Sequence, residues 1–130
     1  GLNTGNNLSL NFSDTVQRAS VSLTNEASVY VGAAFGSGSI AINAQNLNVF
    51  NQSKLYAGIN EGLEPINTTA GNIMLDATGA IEVNGASHIF NYVENGALGN
   101  GGNITIKSRA LSIDNDAQIG TVTYGNRNAG

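Results

Sequence analysis

Residues 102–119 read GNITIKSRALSIDNDAQI, and their apolar pattern recurs three more times along the chain. Two apolar residues alternate with polar ones, a second alternating pair follows, and one further apolar residue lies six positions later. Residues 38–55 and 71–89 repeat this order closely, and residues 6–29 repeat it loosely. The copies begin 31–33 residues apart, measured between Leu8, Ile40, Ile73 and Ile104, and this period is typical of a solenoid.

The interval between the second and third apolar segments is the most constant feature of the repeat. It spans six residues in each copy, from Leu23 to Val29, Val49 to Leu55, Val83 to Ile89 and Ile113 to Ile119. Elsewhere the spacing varies, and residues 13–18 and 60–67 are predicted to form protruding loops. The second loop contains the only proline, Pro65, which cannot donate a hydrogen bond to a strand ladder.

Alternation at period two favours strands over helices. Three short strands per copy are too short for a two-layered sandwich, but stacked on equivalent strands they form three parallel sheets around a narrow core. We therefore predict an all-β fold, a right-handed parallel β-helix (β-solenoid) with about four coils of 31–33 residues and three short strands in each coil. The right hand follows the general preference of parallel connections. The chain is predicted to be a single segment, 1–130, with coils near 5–35, 36–69, 70–100 and 101–130.

Stacking is expected to align equivalent residues in columns. The inward columns contain aliphatic residues, for example Val21, Leu47, Ile81 and Leu111 in one, and Leu23, Val49, Val83 and Ile113 in the next. Small residues, Ala27, Ser53, Ser87 and Ala117, form a further column that suits a tight corner. Just before the first strand lie Asn7, Ser39, Asn72 and Asn103, and we predict a structural ladder of side-chain amides there that satisfies backbone groups in the turns.

Composition limits the partners. The net charge is −4, and the five basic residues, Arg18, Lys54, Lys107, Arg109 and Arg127, are scattered. Nucleic acids and anionic membranes both require a basic face, so neither is expected as a partner. No apolar run is long enough for membrane insertion. Cysteine is absent, which excludes thiol catalysis and disulfides and suits a protein that crosses a membrane unfolded.

The last copy also resembles a known family. Residues 102–106 (GNITI), 110–113 (ALSI) and 117–125 (AQIGTVTYG) are similar to the repeats of filamentous-haemagglutinin-like exoproteins, especially the large exoproteins of cyanobacteria. The resemblance covers residues 36–130 well and residues 1–35 loosely. It implies two-partner secretion, a location outside the cell or on its outer surface, and a role as an adhesin or surface structure. The Asn-Pro-Asn-Gly and Asn-x-x-Gly-Leu motifs of the family's secretion domain are absent, so we interpret the chain as repeat shaft.

We expect no catalytic residues, no metal site and no cofactor. His88 is the only histidine, and its column mates Ser28, Lys54 and Gln118 are polar, so it is predicted to point into solvent. Residues 114–116 (DND) resemble the start of a calcium loop but lack its later ligands and are predicted to form a turn. The columns contain no carboxylate pair of the glycosidase type. A polysaccharide-degrading β-helix enzyme is therefore only the second alternative to a non-enzymatic function.

Tyr30, Tyr56 and Phe90 are predicted to form one outward column on the third sheet, which Gly120 interrupts in the last coil. One interpretation is mutual stacking that holds successive coils together. The other is a strip that binds carbohydrate, because sugars present apolar faces to exposed aromatic rings. A carbohydrate-binding β-helix, with cell-surface glycans as partners, is thus the first alternative function.

The two ends of the stack of coils are expected to associate with other strands. The sequence shows neither an amphipathic helix nor a polar cap at either end, although terminal repeats need one. Three rows of unpaired backbone groups are then expected at each end, open to edge pairing. We predict end-to-end stacking with flanking repeats or other copies, and a head-to-tail filament if the chain is a complete protomer. The predicted function is a structural or adhesive shaft in a large secreted bacterial exoprotein.

Overall fold

The computed structural model describes residues 2–3, 7–10, 17–33, 38–61, 69–124 and 130. These residues form strands and no helix. The strands are β1 (Leu2–Asn3), β2 (Asn7–Leu10), β3 (Val21–Leu23), β4 (Ser28–Ala33), β5 (Ser39–Ala44), β6 (Leu47–Val49), β7 (Lys54–Ile59), β8 (Ile73–Ala77), β9 (Ala80–Asn84), β10 (His88–Val93), β11 (Ile104–Lys107), β12 (Ala110–Asp114) and β13 (Gln118–Thr123). Most of the two predicted loops, residues 13–16 and 62–67, lies outside the described residues.

The strands form three sheets that share one repeating order. The first sheet contains β2, β5, β8 and β11, the second β3, β6, β9 and β12, and the third β4, β7, β10 and β13, all paired in parallel. Each coil therefore contributes one strand to each sheet. The structure confirms the predicted all-β parallel solenoid of about four coils.

The register follows the predicted columns. Ile73 lies opposite both Ile40 and Ile104 in the first sheet. In the second sheet, Ile81 lies opposite both Leu47 and Leu111. The inward aliphatic residues of the two middle coils form one continuous apolar core, and all of them are buried except Ile42, which is partly buried. The side chains of Leu8 and Leu10, predicted to point inward in the first coil, lie outside the described part of the structure.

A repeated left-handed turn explains the constant interval of six residues. Between the second and third strands of every coil, two successive residues have positive φ: Asn25-Glu26, Asn51-Gln52, Gly85-Ala86 and Asn115-Asp116. Asn and Gly tolerate this conformation best, which accounts for the first residue of each pair. The next residue is the predicted small one. Ser53 and Ser87 are buried there, and their hydroxyls donate to the carbonyls of Phe50 and Asn84, each at 2.7 Å.

Asn91 is a fully buried polar residue among the inward positions of the third sheet. Its Nδ2 donates to the Gly71 carbonyl at 2.6 Å, and its Oδ1 accepts from the Gly102 N–H at 3.2 Å. Both glycines open a coil, and neither has room for a side chain, since a Cβ would lie 1.9 Å from Gly38 O at Gly71 and 2.3 Å from Gly71 O at Gly102. Asn91 therefore fixes the tight corner between the third sheet and the next coil.

The N-terminal end differs from the prediction. β1 pairs antiparallel with β2, with Leu2 opposite Leu10 and Asn3 opposite Ser9, and so lies along the outer edge of the first sheet. The expectation of three unpaired backbone rows at each end is wrong at this edge. The opposite end has no such strand among the described residues, and β11, β12 and β13 are all edge strands there.

Candidate functional site

The predicted aromatic column exists, but its rings do not stack as one ladder. Tyr30, Tyr56, Phe90 and Gly120 lie opposite one another in adjacent strands of the third sheet. Tyr56 and Phe90 stack with ring centroids 5.7 Å apart and planes 18° apart. Tyr30 instead contacts Tyr92, with centroids 6.3 Å apart and planes at 34°. Tyr92 is thus a member of the site that the sequence prediction missed.

Two glycines make room for Tyr92. Tyr92 lies opposite Gly58, and Gly58 lies opposite Gly32, so the outer surface of the first two coils has no side chain at this position. A Cβ on Gly58 would lie 2.8 Å from Tyr92 Cδ1, and one on Gly32 would lie 2.4 Å from the Tyr92 hydroxyl oxygen. The ring therefore lies along the sheet across two coils and is 8% exposed.

The hydroxyl groups of Tyr30 and Tyr92 are held by one amide. Tyr30 donates to Asn60 Oδ1 at 2.7 Å, and the Tyr92 hydroxyl lies 2.8 Å from the same oxygen and 2.6 Å from the Tyr30 hydroxyl. Burial, followed by the hydrogen bond to Tyr30, raises the pKa of Tyr92 far above its usual range. The hydroxyl group of Tyr92 therefore stays protonated, and the hydrogen bonds tie the first three coils together.

Together these rings form an aromatic groove, a cavity of about 280 Å³ lined by Tyr30, Tyr56, Phe90, Tyr92, Glu94 and Tyr124. The lining includes all four tyrosines of the chain. Tyr30 is 51% exposed and Tyr124 is 64% exposed, so the groove opens to solvent. Tyr56 meets Tyr92 edge-on, with centroids 6.0 Å apart and planes at 63°, which makes the surface concave rather than flat. Burial, followed by the proximity of Tyr124, raises the pKa of Tyr56.

Glu94 is the only charged residue among the described residues that line the groove. Its Oε2 accepts from the Glu61 N–H at 3.1 Å, which orients the carboxylate. Within the described ranges, no basic side chain lines the groove, and the one ion pair found there joins Arg18 to Asp76 of the first sheet at 2.9 Å. The groove is therefore both aromatic and anionic.

His88 lies beside the aromatic column rather than freely in solvent. It shares its register position with Ser28, Lys54 and Gln118, as the columns predict. Its ring stacks on Phe90 with centroids 5.0 Å apart and planes 9° apart, and Nδ1 lies 3.4 Å from the Tyr56 hydroxyl. The prediction that His88 points outward is confirmed, and in addition Phe90 covers one face of its ring.

The predicted polar ladder is built from backbone donors and side-chain acceptors. The Asn72 N–H donates to Ser39 Oγ at 3.0 Å, and the Asn103 N–H donates to Asn72 Oδ1 at 2.9 Å. The backbone of Asn7 lies opposite Ser39, but its side chain lies outside the described residues. Each side-chain oxygen thus satisfies the N–H of the next coil, and the ladder is a structural feature.

Within the described ranges, no three His, Cys, Asp or Glu side chains are grouped so that they could hold a metal ion. The same residues contain no helix long and apolar enough to cross a membrane. Comparison of the chain with models of protein families, with curated proteins and with solved structures gave no match. Function is therefore inferred from the side and end surfaces of the solenoid.

Proposed function

We propose that the chain is a non-enzymatic segment of an extracellular β-solenoid shaft, structural or adhesive in role, that lengthens by the stacking of coil on coil. The resemblance to filamentous-haemagglutinin-like repeats supports secretion to the outer cell surface. The observation that carries the proposal is the exposure of core residues at one end. Leu111 is 45% exposed and Ile113 is 43% exposed, whereas their column mates Ile81 and Val83 are both 0% exposed.

The rest of this end surface has the same character. Ile104, Ile106 and Ile119 line an open cavity of about 470 Å³, which is the continuation of the core beyond the fourth coil. β11, β12 and β13 belong to the same coil and are edge strands, so their unpaired backbone groups lie at the same end of the solenoid. Unpaired strand edges around an apolar centre are a template for another coil.

A further coil in the same register would complete all three sheets and bury the exposed side chains. Covering the remaining half of Leu111 and Ile113 is worth roughly 1 kcal/mol for each residue, before the new backbone hydrogen bonds are counted. The opposite end is less suitable, because β1 occupies the β2 edge and would have to move for the first sheet to continue. Growth is therefore proposed from the fourth coil, by a flanking repeat or by another copy.

Self-association of the full chain tests this proposal. We expect a concentration-dependent increase of the sedimentation coefficient, and Leu111→Lys is expected to abolish it because the end surface acquires a charge. Met74→Lys is the matched control, since Met74 is 53% exposed but lies on the side of the first sheet. A wild-type chain that stays monomeric at every concentration, or an equal effect of the two substitutions, would contradict growth through this end. Circular dichroism verifies that both variants are folded.

A further inference from the structure

The aromatic groove lies on the outer face of the third sheet, on the side of the solenoid, whereas the proposed stacking uses the strand edges and core residues of the fourth coil. Its volume of about 280 Å³ is just below the range of roughly 300–1,000 Å³ found for sites that enclose drug-sized ligands. The groove therefore has room for one small chemical group rather than for an extended chain. Its open rim, formed by the exposed Tyr30 and Tyr124, gives such a group direct access from solvent.

The chemistry of the lining selects for positive charge. Five aromatic rings surround the cavity, and the electron-rich face of an aromatic ring attracts a cation within about 6 Å of its centroid. Glu94 adds a formal negative charge that no ion pair among the described residues neutralises. Among the residues that the structure describes, no lysine, arginine or histidine lines the cavity to repel a cation. Anionic ligands are disfavoured by the same carboxylate.

The hydrogen bonds distinguish a cation from a sugar. A bound sugar needs several directional partners for its hydroxyl groups, but two of the four tyrosine hydroxyls in the lining, those of Tyr30 and Tyr92, are already engaged. Tyr30 donates to Asn60, and Tyr92 lies within hydrogen-bond distance of both Asn60 and Tyr30. A quaternary ammonium group has no N–H donor and loses nothing when the surrounding hydroxyls are occupied. The lining suits a group that requires ring faces and a carboxylate only.

We propose that the aromatic groove binds the quaternary ammonium group of a small organic cation, of which choline is the simplest probe. The ammonium group lies against the rings of Tyr56, Tyr92 and Tyr124, with the Glu94 carboxylate as its counter-ion. The proposed site lies on the side of the shaft, and binding there does not require another coil to stack on the fourth coil.

Intrinsic fluorescence tests the proposal directly, because the chain has no tryptophan and all four tyrosines line the groove. The full chain is titrated with choline, with the neutral isostere in which a tert-butyl group replaces the trimethylammonium group, and with glucose. We expect a saturable response to choline and at least about fivefold weaker binding of the isostere, the factor that one opposite charge at roughly 4 Å is worth in water. Equal binding of choline and the isostere would overturn the proposal, and so would a response to glucose alone, which would assign the groove to glycans.

Three substitutions test whether the fluorescence response to choline arises in the aromatic groove. Glu94→Gln keeps the shape of the side chain and is expected to weaken choline binding about fivefold. Tyr124→Leu removes one exposed ring and is expected to weaken it about two- to fivefold. Glu82→Gln, an exposed residue on the second sheet, removes the same charge at a distance and is expected to change nothing. The proposal fails if Glu94→Gln and Glu82→Gln, both with wild-type melting temperatures, bind choline equally well.

A quaternary ammonium group occurs both in soluble molecules and in lipid head groups. Co-sedimentation of the chain with phosphatidylcholine vesicles distinguishes soluble cations from lipid head groups. Binding of free choline without co-sedimentation assigns the site to soluble cations. Co-sedimentation that Tyr124→Leu weakens by the same factor of about two to five extends it to head groups.

Discussion

Ile81 and Leu111 occupy the same inward column in adjacent coils, yet truncation to alanine is expected to cost very different amounts of stability. Ile81 is fully buried with a coil stacked on each side, so Ile81→Ala leaves a cavity that neighbouring coils cannot fill. Such truncations cost about 2–5 kcal/mol. Leu111 is 45% exposed, so its removal forfeits only about half of the burial and encloses no cavity. We expect about 3–4 kcal/mol for Ile81→Ala and about 1–2 kcal/mol for Leu111→Ala.

Urea unfolding followed by circular dichroism measures both values, at a concentration low enough to prevent association through the fourth coil. A change of 1 kcal/mol corresponds to roughly 3–5 °C in the melting temperature of a chain of this length, so the two variants, which differ by about 2 kcal/mol, should differ by about 6–10 °C. Val83 and Ile113 give a second pair in the next column. Ile113→Ala removes one more carbon atom than Val83→Ala but is expected to be less costly. Equal losses in either pair, or a larger loss at the residue of the fourth coil, would refute the prediction that these exposed side chains stabilise the chain less than their buried column mates.

Two further predictions concern Tyr92. Gly58→Ala is expected to destabilise the chain by about 1–3 kcal/mol in thermal unfolding, because the added Cβ would lie 2.3 Å from the Tyr92 carbonyl oxygen. Gly120→Ala is the control: its Cβ would meet no atom within 4 Å, and its stability is expected to stay within about 0.5 kcal/mol of the wild type. The raised pKa of Tyr92 predicts alkaline sensitivity. The unfolded chain loses the tyrosine proton near pH 10 while the folded chain keeps it, so stability is complete below about pH 10 and falls as the pH rises further. Melting temperatures between pH 8 and pH 11 should show this fall in the wild type and a smaller one in Tyr92→Phe; parallel curves would contradict it.

The sequence predicted the sheets and their register because the information is local and repeated. Each strand contains two or three aliphatic residues at period two, and a slip of one residue would turn every one of them outward. The interval of six residues was visible as a constant, but its cause was not. Pairs such as Asn51-Gln52 and Asn115-Asp116 do not contain the glycine that usually marks positive φ. The turn between the second and third strands requires the positive φ, and the stacking of four equivalent turns stabilises it.

The features that the sequence did not predict depend on partners from other coils. β1 has only two residues and therefore no periodicity to detect. Asn91 occupies an inward position that looks unfavourable for an amide until the carbonyl of Gly71 and the N–H of Gly102 are placed beside it. Tyr92 had a signal that could have been used, since glycines lie at the equivalent position of the first two coils. Such a column of glycines beside one large residue predicts a ring that lies flat across its neighbours.

From one coil to the next, the residues of the groove can change while the residues of the core stay the same, because inward and outward residues alternate along each strand. Ile89 and Ile119 keep the inward column of the third sheet intact, while the outward neighbour changes from Phe90 to Gly120. Positions that follow the repeat stabilise the stack, and positions that depart from it create the distinctive surface. Tyr92, where the two preceding coils have glycine, is such a departure, and it forms one wall of the groove. In this solenoid, the outward positions that differ from the repeat are therefore the best candidates for functional residues.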